Sequence, residues 1–309
     1  MPKVIIPRKF RERYNKIAPS PKEFFRILEE PLRPSFRICT NKISREKAIQ
    51  KLVDLGWSFE SVPFYADGFI LKSGIKPGHS IEHFMGYIYM QEVVSMIPPV
   101  LLEPKPYELI LDMCAAPGSK TTQISQMMEN KPLILANDVD WRRLKPLKHN
   151  LEKCGCLNVA ISLMDGRFIS KKQKFDKILL DAPCSSEGQI RKDWSVLSRW
   201  SEDYVRKFSS LQKALIASAF QLLKNNGVLV YSTCTFSPEE NEEVVSYLLE
   251  NFKGAKLEQI SLPKFKTSKG LEEFEGKKYD PEIKKCVRVW PHINDTGGFF
   301  VAKLRKNEI

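Results

Sequence analysis

From Leu109 to Tyr231 the chain alternates short, almost wholly apolar runs with longer amphipathic ones, and this alternation constrains its fold more than any other feature. The apolar runs are Leu109–Met113, Leu133–Val139, Val159–Met164, Lys177–Leu180 and Val228–Tyr231. Helical patterns occupy Lys120–Met128, Arg142–Cys154, Glu202–Leu223 and, after the last run, Glu239–Asn251. A strand that is apolar throughout must be covered on both faces, and a strand reached through a helix returns parallel to its predecessor. The expected class is α/β: a doubly wound, Rossmann-like parallel sheet with helices on either side. Gly298–Leu304, after a long irregular stretch, suits an antiparallel strand at the sheet edge.

The residues before this region follow another plan. Ser20-Pro21 reads as N-cap and first position of a helix through Glu30, stopped by Pro31 and Pro34. Phe36–Ile43 reads as a strand. Ser44 caps a helix from Arg45 to Leu55 that Gly56 ends, and Trp57–Val62 and Gly68–Leu71 read as two further strands. This β-α-β-β order predicts a small α+β module, joined to the sheet through residues 72–79. The chain thus divides into 1–80 and 81–309.

The charge is uneven. The formal net charge is +12, and the first fifty residues hold 13 Lys and Arg against 5 Asp and Glu. A basic surplus of this kind favours a polyanionic partner. No apolar run approaches the roughly 20 residues that cross a bilayer, and the first ten residues lack the apolar core of a signal peptide. The expectation is a cytoplasmic protein with no membrane contact. Seven scattered cysteines agree with a reducing compartment. Cys154 and Cys156 are too close for a CxxC pair and no second pair completes a zinc set, so no metal is expected, and Cys39, Cys154, Cys156 and Cys286 read as ordinary thiols.

In a doubly wound sheet, ligands sit at the carboxyl ends of the strands. There the sequence places Asp112, then the turn Cys114-Ala115-Ala116-Pro117-Gly118-Ser119-Lys120, then Asp138 and Asp165 at the ends of the next two strands. Gly118 permits close backbone approach, and the following helix offers free N–H groups. Asp138 suits the hydroxyls of a ribose and Asp165 an adenine amino group. Gly118-Ser119-Lys120-Thr121 is no P-loop, since a serine separates Gly from Lys and the leading glycine is missing; a G-x-G-x-x-G string is also absent. A single glycine suits a nucleoside carrying a sulfonium better than a pyrophosphate, which points to S-adenosylmethionine.

Two cysteines also follow strand ends, in Asp181-Ala182-Pro183-Cys184 and Ser232-Thr233-Cys234-Thr235. A thiolate added at C6 of cytosine makes C5 enamine-like and able to take a methyl group, after which the C5 proton must leave. Ser237-Pro238-Glu239-Glu240 reads as a helix start, which would place Cys234 near a helix N-terminus and lower its pKa. Asp181 is placed to contact the base. These residues alone leave open which thiol attacks.

The strings Asp112 to Thr121, Leu180-Asp181-Ala182-Pro183-Cys184-Ser185 and Tyr231-Ser232-Thr233-Cys234-Thr235 resemble the NOL/NOP/Sun family of RNA cytosine-5 methyltransferases. So do Pro238-Glu239-Glu240-Asn241, residues 86–92 and residues 297–302, in the family's order. The resemblance implies an S-adenosylmethionine-dependent methyltransferase domain over 81–309 and a basic RNA-binding module over 1–80. It implies attack on C6 by Cys234, product release by Cys184, contact of Asp181 with the cytosine, and Lys120 in the same centre. For the cofactor it implies Cys114 to Lys120 with Asp138, Asp165 and Asp181; Arg143, one turn into the next helix, is a further candidate. Two departures stand out: Ser119 replaces the family's second glycine, and Arg37-Ile38-Cys39 has cysteine where the family favours asparagine for RNA contact.

The expected partner is RNA, tRNA ahead of rRNA, bound by a monomer. Arg8, Lys9, Arg11, Arg13 and Lys16 are candidates for phosphates, Phe64, Tyr65, Trp194 and Trp200 for stacking, and Arg191-Lys192 for backbone near a flipped base. In a DNA cytosine-5 methyltransferase Cys184 would attack, and no Thr-Cys would be expected downstream. A non-catalytic assembly factor would be expected to have lost Cys234, Cys184, Asp181 or Lys120, and all four are present.

Overall fold

The computed structural model describes residues 5–73, 76–131 and 133–308. Two helices come first, α1 (Arg8–Ile17) and α2 (Pro21–Leu28); Ser20 takes the N-cap position of α2 without a side-chain capping bond. A small antiparallel sheet follows, built from β1 (Ser35–Ile38), β2 (Phe59–Ser61) and β3 (Gly68–Leu71), with α3 (Arg45–Asp54) between β1 and β2. Ser44 caps α3 as its sequence indicates, accepting from the Lys47 N–H at 3.4 Å. The strands at β1 and β2 are shorter than the apolar runs that suggested them. The fourth strand, β4 (Ile88–Met90), pairs with β1 from beyond residue 80. The stretch expected to join the two parts, 72–79, includes residues 74 and 75, which lie outside the described residues.

The large sheet starts with β5 (Ile110–Asp112) and continues through α4 (Ser119–Met127), β6 (Ile134–Asp138), α5 (Trp141–Lys153), β7 (Val159–Leu163) and β8 (Phe175–Asp181). It then takes α6 (Glu202–Leu222), β9 (Leu223–Thr233), α7 (Glu242–Asn251), β10 (Ala255–Leu257), β11 (Ser268–Lys269), β12 (Val287–Val289) and β13 (Phe299–Lys306). The strand order is β11-β12-β13-β9-β8-β5-β6-β7, parallel from β9 to β7. The doubly wound, Rossmann-like sheet with a small N-terminal α+β module is thus present.

Continuous apolar strands bury alternate side chains on opposite faces. Leu111, Ile178, Leu180, Leu229 and Tyr231 face Leu215, Ile216 and Ala219 of α6 and Val244, Val245 and Leu248 of α7. Ile110, Leu179 and Val230 face Ile97, Leu101, Ile124 and Met128. The strand expected at the edge is antiparallel but interior: β13 pairs with β9 on one side and with β12 and β10 on the other. Its first six residues are buried on both faces, a pattern that an edge could not cover.

The N-terminal parts are tied to the large sheet in two ways. Phe10, Tyr14 and Phe24 of α1 and α2 pack in one cluster with Trp200, Phe236 and Trp290. From β1, the wholly buried Arg37 donates to Gln91 Oε1 at 3.0 Å, to Thr122 Oγ1 at 2.7 Å and to Gln126. Arg37 is therefore spent on packing and unavailable to RNA, and Cys39 lies buried with its Sγ 3.5 Å from that of Cys154. Among the described residues no helix is long and apolar enough to cross a membrane.

Candidate active site

The carboxyl ends of β5, β6, β7, β8 and β9 surround a cavity of about 350 Å³. Cys114, Ala116, Asp138, Arg143, Asp165, Asp181, Cys184 and Cys234 line it together with Val139, Met164, Leu211 and Leu215. The turn after β5 is held from behind. Ala115 N–H donates to Asn137 O at 2.7 Å, and Ala116 N–H to Asp138 Oδ2 at 3.1 Å. Gly118 has φ +103°, and a Cβ there would lie 2.9 Å from Leu147 of α5, so glycine is required both by its dihedral and by helix packing. Ala115, Pro117, Gly118 and Ser119 shape this turn without lining the cavity. Arg143 reaches Asp138 Oδ2 at 3.3 Å and also donates to Ala116 O, so it braces the acid and the turn together. Asp165 accepts from Arg167 Nε at 3.0 Å.

Deeper in, Lys120 Nζ lies 2.6 Å from Asp181 Oδ2, and Ser232 Oγ donates to Asp181 Oδ1 at 2.7 Å. Burial works against the Lys120 charge, but Asp181 outweighs it and holds the ammonium pKa above its usual value. The Cys184 and Cys234 sulfurs are 3.3 Å apart. The hydrogen bond from Cys184 lowers the pKa of Cys234 despite burial, helped by Ser186 at 3.8 Å and by Lys120. The same bond and burial push Cys184 well above the usual thiol range. Of the two thiols, Cys234 holds its proton less tightly and Cys184 more tightly.

This cause differs from the one read off the sequence. The expected helix start at Ser237-Pro238-Glu239-Glu240 is a turn, and α7 begins at Glu242 behind Asn241. Ser237 Oγ donates to Glu187 at 2.8 Å instead of capping a helix. The groups that lower the Cys234 pKa are a neighbouring thiol, a hydroxyl and an ammonium, while the helix begins at Glu242, beyond the expected start.

The cavity, its acids and both thiols all lie within residues 99–305, the stretch that matches the 16S rRNA methyltransferase RsmB/F family. The chain belongs to that family. Residues 6–93 match the N-terminal domain of the 16S rRNA methyltransferase RsmF. Among relatives of this RsmB/F chain is a tRNA (cytosine(49)-C(5))-methyltransferase of Pyrococcus abyssi, 48% identical over 97% of this chain and 96% of the relative. The ribosomal RNA small subunit methyltransferase F of Vibrio parahaemolyticus is 39% identical over 99% of this chain, which spans only 64% of that relative's length. A methyltransferase homolog of Pyrococcus horikoshii superposes with a TM-score of 0.82 at 36% identity, covering 97% of this chain and 100% of that one. NSun6 of the same organism, solved with the S-adenosylmethionine analogue SFG, superposes with a TM-score of 0.84 at 27% identity, over 98% and 99% of the two chains.

The RsmB/F family is S-adenosylmethionine-dependent, and the cavity fits that cofactor. Its volume is in the range of small-molecule sites, and it combines apolar walls with three carboxylates, Asp138, Asp165 and Asp181, suited to a cationic nucleoside. Among the described residues no group of three His, Cys, Asp or Glu side chains is placed to hold a metal ion.

Several sequence candidates for RNA contact are engaged elsewhere. Arg191 is buried, donating to Glu30 O, Pro31 O, Thr296 O and Asp295. Trp200 is buried against Glu187, Trp194 Nε1 donates to Leu28 O at 3.2 Å, and Arg13 is buried with Glu239. Phe64 packs on Phe265, and Tyr65 accepts from Gln126. Arg8, Lys9, Arg11, Lys16 and Lys192 stay exposed. Ser186, Ser232, Glu187 and Glu240 escaped the sequence reading as site residues. Their one sequence signal is adjacency to the two cysteine strings.

Proposed function

We propose that this chain methylates C5 of a cytosine in tRNA, through a covalent bond between Cys234 Sγ and C6 of the base. The observation that carries the reading is the pair of sulfurs 3.3 Å apart at the wall of the acid-lined cavity, with the Lys120–Asp181 pair beside them. Bound S-adenosylmethionine supplies an electrophilic methyl group; Asp138, Asp165 and Asp181 would hold it.

Each protein residue then has a task its surroundings support. Cys234, the thiol that gives up its proton more readily, adds to C6 as its thiolate, and the electrons of the C5=C6 bond make C5 nucleophilic. Lys120, kept charged by Asp181, offers a donor for the electron density that attack pushes onto the base. Once Cys234 is bonded to carbon it no longer accepts from Cys184. The contact that most raised the Cys184 pKa is then gone, so Cys184 loses its own proton to solvent and its thiolate removes the proton from C5. The C5–H electrons re-form the C5=C6 bond, and Cys234 leaves as thiolate.

The 48% identity to the Pyrococcus tRNA enzyme, against 39% to the Vibrio rRNA relative, supports tRNA as substrate. Exposed Arg8, Lys9, Arg11 and Lys16 supply phosphate contacts. Purified protein, S-adenosylmethionine and total RNA, followed by bisulfite sequencing, test this. The expected result is Cys234-dependent 5-methylcytosine in tRNA. Methylation confined to rRNA overturns the substrate, and none in either RNA overturns the activity.

A further inference from the structure

The two thiols belong to loops fifty residues apart in sequence, and a contact of 3.3 Å between them needs those loops to be locked together. Two buried carboxylates cross between the loops. Glu187, three residues after Cys184, accepts from Thr235 Oγ1 at 2.7 Å, Phe236 N at 2.9 Å and Ser237 Oγ at 2.8 Å, all in the Cys234 loop. Glu240, six residues after Cys234, accepts from Ser185 N at 3.0 Å and from Gln212 Nε2 at 2.9 Å, and shares a hydrogen bond with Ser185 Oγ, so that it meets the Cys184 loop twice. Ser185 Oγ and Thr235 Oγ1 are 2.8 Å apart and complete a chain from Glu240 through both hydroxyls to Glu187. Both acids are wholly buried.

We propose that Glu187 and Glu240 are positioning residues that hold Cys184 at hydrogen-bonding distance from Cys234. The proposal rests on the reading above, in which Cys234 attacks and Cys184 is its partner. The two acids have different tasks. Each Glu187 oxygen faces an N–H that can only donate, Trp200 Nε1 at one and Phe236 N at the other, with the Tyr14, Thr235 and Ser237 hydroxyls beside them, so both oxygens must accept. Around Glu240, two N–H groups donate while the two hydroxyls can either give or receive. A neutral carboxyl fits there, its O–H passing to Ser185, Ser185 to Thr235, and Thr235 to Glu187. Burial, and then the nearby Glu187, push the Glu240 pKa up to about 8, in keeping with that neutral form.

The test is the pH profile of iodoacetamide alkylation at Cys234, read by peptide mass spectrometry on the full chain without RNA or cofactor. Glu240→Ala and Glu187→Gln are expected to lower the Cys234 alkylation rate at pH 7 about tenfold, as for a thiol pKa raised by about one unit. Glu240→Gln, whose amide copies the neutral acid, is expected to keep the wild-type profile. Ser185→Ala, which cuts the chain without touching either acid, serves if the carboxylate variants fail to fold, and is expected to slow alkylation likewise. Unchanged profiles in folded Glu240→Ala, Glu187→Gln or Ser185→Ala overturn the proposal. So does a Glu240→Gln profile as displaced as that of Glu240→Ala. Because no methyl transfer is measured, displaced profiles in a protein that methylates no RNA would leave this inference standing and remove the proposed activity.

Discussion

Replacing Cys184 by alanine separates attack from release. In the wild type the Cys184 and Cys234 sulfurs are 3.3 Å apart, and a hydrogen bond from Cys184 is the first cause of the lowered Cys234 pKa. A hydrogen bond to a charged group contributes about 1.5–3 kcal/mol. Taking the lower end for a weak S–H donor, its loss raises the Cys234 pKa by about one unit. The sign follows from which form is stabilised: the bond favours the thiolate, so without it the thiol binds its proton more tightly. At pH 7 the first methyl transfer should slow about tenfold, and the deficit should close as pH rises toward about 9. The adduct, once formed, should persist, because the residue proposed to remove the C5 proton is gone. Single-turnover transfer of a labelled methyl group, sampled across pH, reads the first effect, and a denaturing gel of the protein–RNA adduct reads the second. Wild-type turnover with no retained adduct refutes the release role. A retained adduct with a wild-type rate at pH 7 refutes the hydrogen-bond argument and leaves release intact.

Asp112 is buried with Oδ1 unpartnered, and burial pushes its pKa up to about 7 although Thr121 donates to Oδ2 at 2.7 Å. The folded pKa is raised, so the native state binds more protons than the unfolded one between about pH 4 and 7, and stability falls as pH rises through that window. Asp112→Asn keeps the Thr121 bond and should stabilise the cofactor-free protein by about 2–3 kcal/mol more at pH 8 than at pH 5; equal gains in urea unfolding at the two pH values would count against it. Arg37→Met removes a buried guanidinium and strands Gln91, Thr122 and Gln126 at the joint between β1 and α4. It should cost about 3–5 kcal/mol, and a loss under about 1 kcal/mol in the same assay would show that the joint does not depend on it.

Much of the large sheet was legible because its strands are buried on both faces. Ile110-Leu111 and Ile178-Leu179-Leu180 must be apolar at every position, and the run therefore shows in the sequence. What the sequence left unseen depended on partners far along the chain. Gly298–Leu304 reads as a final strand, yet its interior place depends on β12 and β10, whose three-residue lengths carry little signal. Arg191 reads as an RNA-facing charge because nothing local shows that backbone carbonyls from distant segments enclose it. The N-terminal helices, separate in sequence, pack through Tyr14 and Phe24 against Phe236, two residues past Cys234.

The site divides along the same line. Strand ends followed by turns place Asp112, Asp138, Asp181, Cys184 and Cys234 at one edge of a parallel sheet, because every parallel strand ends on the same side. By itself, the sequence determined that edge, its acids and its two thiols. Only the tertiary structure decided which thiol holds its proton less tightly. Ser237, which could have capped a helix beneath Cys234, is drawn to Glu187, and Cys184 comes within 3.3 Å from fifty residues away. A pKa is set by whatever stands within a few ångströms, and for Cys234 those neighbours come from other strands.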